Sequence, residues 1–220
     1  MFIQQEIKKM PFYRQQEIDS WERFYRANFI NSLTGFKSVN LIGTVNPQGR
    51  TNLGVFSSIV HIGSNPALVG FINRPVKAAP HTLANIRATG VYTINHINPS
   101  FIEQAHQASA KYPDDISEFD AVGLTPEFLE NIAAPFVAES KVKFALALRE
   151  IIPIQLNNTF FVIGEIQCIQ IDQDILLPDG FLQLDNALSV CSNGADAYYD
   201  TKLLDRYEYA KPGIKTSKLN

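Results

Sequence analysis

The sequence holds only two cysteines, Cys168 and Cys191, in separate segments and outside any C-x-x-C pair. That leaves no disulfide framework and no thiol redox motif. Cys168 falls in an apolar, strand-like run and reads as a small buried hydrophobe. No stretch approaches the roughly 18 apolar residues of a membrane helix, so no membrane partner is expected. The first residues lack a basic region followed by an apolar core, so the expected location is cytoplasmic, without a secretory leader. Glycine signatures of nucleotide binding are missing too. No G-x-G-x-x-G follows the first strand-like run, and no G-x-x-x-x-G-K-[ST] occurs. A G-x-S-x-G elbow is absent, which removes one form of serine hydrolase. The histidines, His61, His81, His96 and His106, are dispersed without an i, i+4 pair, so no metal site is expected. A formal net charge of −3 gives no basic excess, and no nucleic-acid partner is expected. Internal repeats and low-complexity segments are also lacking.

What is present is a chain of 220 residues with 45% hydrophobic and 19% charged residues, an ordinary globular balance. Such a chain can bury roughly 70% of its unfolded surface and needs no covalent staple. A single domain over residues 1–220 is expected. Residues 15–33 read as one helix, with Ile18, Trp21, Tyr25, Phe29 and Leu33 on one face. That aromatic face must pack on the body of the protein or on a partner.

Beyond Gly35 the texture changes to strands. Runs at 37–45, 51–62 and 67–72 are joined by turn residues and read as an antiparallel meander, because such short links cannot make a parallel crossover. Residues 80–89 read as a helix closed by Gly90, and 91–96 as a strand. Ser100 and Glu103 have capping-box spacing before a helix to about residue 110. Residues 111–136, broken by Pro113, Gly123, Pro126 and Pro135, read as irregular, with a helical turn or two at 117–122. In the strand at 141–149, Val142, Phe144, Leu146 and Leu148 share one face, and Lys141, Lys143 and Arg149 the other. Residues 159–171 form a last long strand, and the tail from 172 is mostly loop, with a short helix near 184–190. About seven antiparallel strands with peripheral helices make a mainly β chain and suggest a closed or half-closed barrel.

Three pieces could carry chemistry. Residues 51–58 place Asn52, Gly54, Phe56 and Ser58 on one strand face, and Leu53, Val55 and Ser57 on the other. The plain reading is an edge strand with solvated serines. Arg74 and Lys77 occupy a proline-containing loop between a strand and a helix start, and alone they are surface charge. Thr82 can cap that helix, or meet an anion together with the free amides of its first turn.

These pieces, in this order, resemble the flavin reductase-like, FMN-binding split-barrel family. The turn ending at Gly49 and the run Asn52-Leu53-Gly54-Val55-Phe56-Ser57-Ser58 are similar to its Asn-x-x-x-Phe-Ser-Ser pattern. Asn65-Pro66, the basic loop of Arg74 and Lys77, and Thr82-Leu83-Ala84-Asn85-Ile86 follow in register. So do Glu118-Phe119-Asp120-Ala121-Val122-Gly123-Leu124 and Ile163-Gly164-Glu165, over a core of about 30–170. The helix at 15–33 and the tail at 172–220 lie outside it.

The resemblance implies an antiparallel split β-barrel of Greek-key type that binds FMN. It implies Thr44, Asn52, Val55, Phe56, Ser57, Ser58, Arg74, Lys77, His81, Thr82 and Asn85 as cofactor-binding residues. Residues 52–58 would line the isoalloxazine and ribityl chain. Ser57 or Ser58, Arg74, Lys77 and Thr82 would hold the phosphate. Ala78-Ala79-Pro80-His81 separates Lys77 from Thr82 more widely than in many relatives, so His81 is an alternative to Lys77. The implied activity is an NAD(P)H:flavin oxidoreductase, with NADH or NADPH as donor, in a homodimer. No catalytic acid or base is named, because hydride transfer needs position rather than proton transfer from a side chain. Two other readings stay open: an FMN-binding electron-transfer or storage protein without turnover, and a cofactor-free β-barrel interaction protein.

Overall fold

The computed structural model describes residues 10–76, 80–113 and 115–219 of the chain. In place of the single helix expected over 15–33 there are two, α1 (Gln15–Ser20) and α2 (Arg23–Leu33). Trp21 takes an extended backbone and breaks the run. Glu22 then caps α2, its carboxylate accepting from the amides of Phe24 and Tyr25. Trp21 still meets Tyr13, Tyr25 and Phe29 edge-on, and Tyr25 stacks with Phe29, but no residue of either helix is buried and Leu33 is exposed.

The strands that follow are β1 (Lys37–Ser38), β2 (Asn40–Val45), β3 (Thr51–Phe56), β4 (Val60–Ser64) and β5 (Ala67–Asn73). Then come α3 (Pro80–Thr89), β6 (Val91–His96), α4 (Ile102–Gln107) and α5 (Glu118–Val122). The short β7 (Pro126–Glu127) and β8 (Phe136–Val137) precede the long hairpin β9 (Val142–Ile154) and β10 (Thr159–Ile171). The hairpin β11 (Cys191–Asn193) and β12 (Ala197–Tyr199) lies in the tail. Among the described residues no helix is long and apolar enough to cross a membrane.

A seven-stranded antiparallel sheet runs in the order β3-β2-β6-β9-β10-β5-β4. The expected strand at 51–62 is thus two strands at opposite edges, and the expected meander is two separate hairpins, β2–β3 and β4–β5. Only Ser57, Ser58 and Ile59 join the two edges. Four residue steps reach at most about 14 Å, so the sheet curls until its edges nearly meet without pairing. That is a split barrel. Ser58 pins the crossing: its hydroxyl donates to the Ile72 carbonyl at 3.2 Å and accepts from the Ile72 amide at 3.0 Å.

Both faces of the sheet are covered on one side of the molecule. Leu41 and Leu53 point to an outer core with Phe101, Ala105 and Phe119 of the α4–α5 layer. Ile42 and Phe56 point into the barrel with Phe71, Tyr92 and Leu146, and with Leu83 and Ile86 of α3. Alternate residues of β2 and β3 therefore serve two cores, which is why every residue of β2 is buried.

Other expectations shift for local reasons. The run at 37–45 breaks at Val39, which is buried in the outer core, and β1 pairs with β11 in a separate sheet. Asn98, not Ser100, caps the turn before α4: its side chain accepts from the Ser100 amide. Lys143 is buried, not on an exposed polar face. The β7–β8 segment folds over it, and its ammonium meets Glu127 and the Val137 carbonyl. The helix expected near 184–190 is a series of turns ended by Leu188 at φ 60°. Cys168 is half-buried, and both cysteines are free.

Candidate functional site

The crossing at 57–59 leaves an open mouth between the barrel edge and α3. A cavity of about 450 Å³ lies there, a size within the roughly 300–1,000 Å³ of small-molecule sites. Residues 52–58 form one wall, with Arg74, His81 and Thr82 beside them. A second part of the lining is 108–112, with Ala195 from the β11–β12 turn. A smaller polar cavity of about 260 Å³ adjoins it, lined by Asn46, Arg50, Asn85 and Ile116 and sharing Asn52, His81 and Glu118.

The first wall is set by a buried network. The Asn52 amide nitrogen donates to Thr44 Oγ1 and to Thr82 Oγ1, each at 3.2 Å. The Asn85 amide nitrogen donates to the same Thr44 oxygen at 3.1 Å. Thr44 is fully buried and accepts two amides, so it links β2, β3 and α3 behind the cavity surface. With both Asn52 donors engaged, its carbonyl oxygen is left to accept. Thr82 accepts from Asn52, so its O–H is left to donate. Thr82 is the third residue of α3 and not its cap.

The implied site residues therefore separate by position. Asn52, Val55, Phe56, Ser57, Ser58, Arg74, His81 and Thr82 line the main cavity. Thr44 stands behind it and Asn85 beside it, in the smaller cavity. The Ser58 hydroxyl is committed to Ile72, which leaves Ser57 as the hydroxyl for a ligand. Lys77 lies outside the described residues.

Three contributors were not named from the sequence as site residues: the 108–112 wall, Ala195 and Glu118. For Glu118 a signal existed, since it opens the acidic-aromatic segment before Gly123. It is buried, and its Oε2 accepts from the Leu53 amide at 3.0 Å. Burial raises its pKa; the Leu53 hydrogen bond and the charge of His81 oppose that rise. Ser117, next to it, shares a 2.7 Å hydrogen bond with Thr51, so α5 is tied to β3 at two points. Among the described residues no His, Cys, Asp and Glu side chains cluster as metal ligands.

The donor set fits a ligand with an aromatic body and an anionic end. Val55 and Phe56 offer apolar surface; Ser57, Arg74, His81 and Thr82 offer donors. Gly54 on the cavity wall keeps the space beside Thr82 open: a Cβ there would stand 3.3 Å from Thr82 Oγ1 and 3.0 Å from the Phe56 ring.

Comparison with known proteins places the chain. A crystal structure from Shewanella frigidimarina, described as a flavin reductase with a split barrel domain, is 48% identical and has a TM-score of 0.88. The match covers 91% of this chain and all of that one. Nitrilotriacetate monooxygenase component B from Bacillus cereus is 16% identical, with a TM-score of 0.79 over 89% of this chain and 98% of its own. Flavoredoxin of Desulfovibrio vulgaris is 24% identical, with a TM-score of 0.67 over 81% and 92%. These last two share the fold. The model of the flavin reductase like domain matches residues 34–183, from the turn before β1 to the start of the tail, and the chain belongs to that family.

Proposed function

We propose that the cavity binds FMN and that the protein is an NAD(P)H-dependent flavin oxidoreductase. One observation carries this reading: the implied flavin residues, scattered over β3, the 57–59 crossing, the end of β5 and the start of α3, converge on one cavity. Membership of the flavin reductase like family supports it.

In this reading Val55 and Phe56 bound the isoalloxazine, and the Asn52 carbonyl oxygen accepts from the ribityl chain or the ring edge. Arg74, His81, Ser57 and Thr82 take the phosphate with charge-assisted and hydroxyl hydrogen bonds. Thr44 and Asn85 hold Asn52 and Thr82 in place from behind. Bound FMN would accept a hydride from the nicotinamide and pass electrons to an acceptor. The side chains orient and enclose; none is needed as a proton donor to the reacting atom. The 108–112 wall, where Ser109, Ala110 and Lys111 are exposed, is where the nicotinamide would enter.

The protein is proposed to work as a homodimer. Phe24, Leu33 and Phe36 are each at least 65% exposed, and Leu204 and Tyr209 of the tail at least 85%. These side chains are the proposed contact between subunits. Light scattering at micromolar concentration should give twice the chain mass, and a monomer would contradict this part.

The function is tested on the purified protein. A flavin visible spectrum that bleaches on anaerobic addition of NADH or NADPH is expected, and heat should release FMN. A flavin spectrum without bleaching would leave a carrier rather than an enzyme. No flavin binding at all would overturn the proposal.

A further inference from the structure

Glu118 lines both the main cavity and its polar side pocket, yet the roles above do not use it. One carboxylate oxygen is tied to the Leu53 amide. No salt bridge to it forms among the described residues. The charged and titratable groups on the elements around it are Arg50 before β3, His81 on α3, and Lys111, Tyr112 and Asp115 on the segment leading to α5. The others among the described residues are Arg87 on α3, Arg74 on the lining of the same cavity, Glu103 and His106 on α4, and Asp120 on α5 itself. Asn52 and His81 border both cavities together with Glu118, so a phosphate held at His81 and Thr82 comes to rest near a buried carboxyl. A second anion at such a site favours uptake of a proton, with the Arg74 cation on the same lining acting against it.

We propose that Glu118 is a further ligand-positioning residue: when the flavin phosphate binds beside His81 and Thr82, one proton is taken up from solvent and shared between the Glu118 carboxyl and the phosphate. The proton turns a repulsion into a hydrogen bond from O–H to phosphate oxygen. No bond to carbon or phosphorus changes. The inference rests on the FMN reading above. Burial raises the Glu118 pKa, which favours the protonated carboxyl.

Glu118→Gln separates this role from a structural one, because its amide oxygen can still accept from the Leu53 amide while it carries no charge. The test is calorimetric titration of the full chain with FMN and with riboflavin, in two buffers of different ionisation enthalpy. Riboflavin lacks the phosphate. Wild type should take up about one more proton with FMN than with riboflavin, and its FMN affinity should fall by up to roughly ten-fold per pH unit as the pH rises. In Glu118→Gln the excess should vanish and FMN should bind more tightly at alkaline pH, with riboflavin unchanged. Equal proton uptake for the two flavins in wild type would overturn the proposal, whatever the variant does. The same excess persisting in Glu118→Gln would also overturn it, placing the proton on His81 or on the phosphate alone. If neither flavin binds wild type, the FMN reading itself fails, an outcome distinct from both.

Discussion

The two walls of the cavity are built on different principles. The strand–helix wall is held by buried side-chain hydrogen bonds among Thr44, Asn52, Thr82 and Asn85. The 108–112 wall is held mainly by turn bonds of the backbone, from the Ser109 amide to His106 and from the Ala110 amide to Gln107, with Ser109, Ala110 and Lys111 exposed. Buried polar groups tied by hydrogen bonds hold their geometry more firmly than surface turns do. The first wall is therefore suited to a ligand that stays, and the second to one that comes and goes.

Breaking the first wall should cost most. Thr44→Val removes the oxygen that two buried amides share, and each orphaned donor costs about 1–3 kcal/mol, or roughly 2–6 kcal/mol together. Urea unfolding should show that loss, with weaker FMN binding as Asn52 and Thr82 drift. A loss under about 1 kcal/mol would mean that the wall is not held this way.

Ser58→Ala removes the clip between the crossing and β5. A stability loss of about 1–2 kcal/mol is expected, because the Ile72 amide loses its partner. FMN affinity should change less than in Ser57→Ala, which tests the division of labour between the two serines.

At the second wall, Lys111→Ala should leave stability within about 0.5 kcal/mol of wild type, as an exposed loop substitution does. FMN affinity should also hold, with any effect confined to the KM for the nicotinamide donor. A large fall in FMN affinity would erase the distinction between the walls.

The same distinction separates what the sequence shows from what it hides. Helix α3 and strands β6 and β10 fall where periodicity and glycine punctuation put them. The face of Asn52, Gly54 and Phe56 is the one turned to α3, as alternation requires. Gly164 of the Ile-Gly-Glu run has a packing reason: a Cβ there would stand 2.3 Å from the hydroxyl of buried Tyr92. The break at 57–59 is hidden, because two strands in continuous apolar-hydroxyl sequence look like one until the sheet curls. Lys143 is hidden for a similar reason. Its burial depends on a short two-stranded segment, whose Glu127 carries the opposite charge. Residues 108–110 read as the end of a helix, but α4 stops at Gln107, and the place of 108–112 on the cavity lining is a product of tertiary packing.

In the proposed assignment the first wall ends in a phosphate site. The most direct test is a fluorescence-quenching titration of wild type and Arg74→Ala with FMN and with riboflavin. Loss of a charge-assisted contact of about 1.5–3 kcal/mol should weaken FMN binding by roughly 10- to 150-fold and leave riboflavin binding nearly unchanged. Equal losses for the two flavins, or no loss for either, would contradict the assignment of the phosphate to Arg74 at the mouth of the cavity.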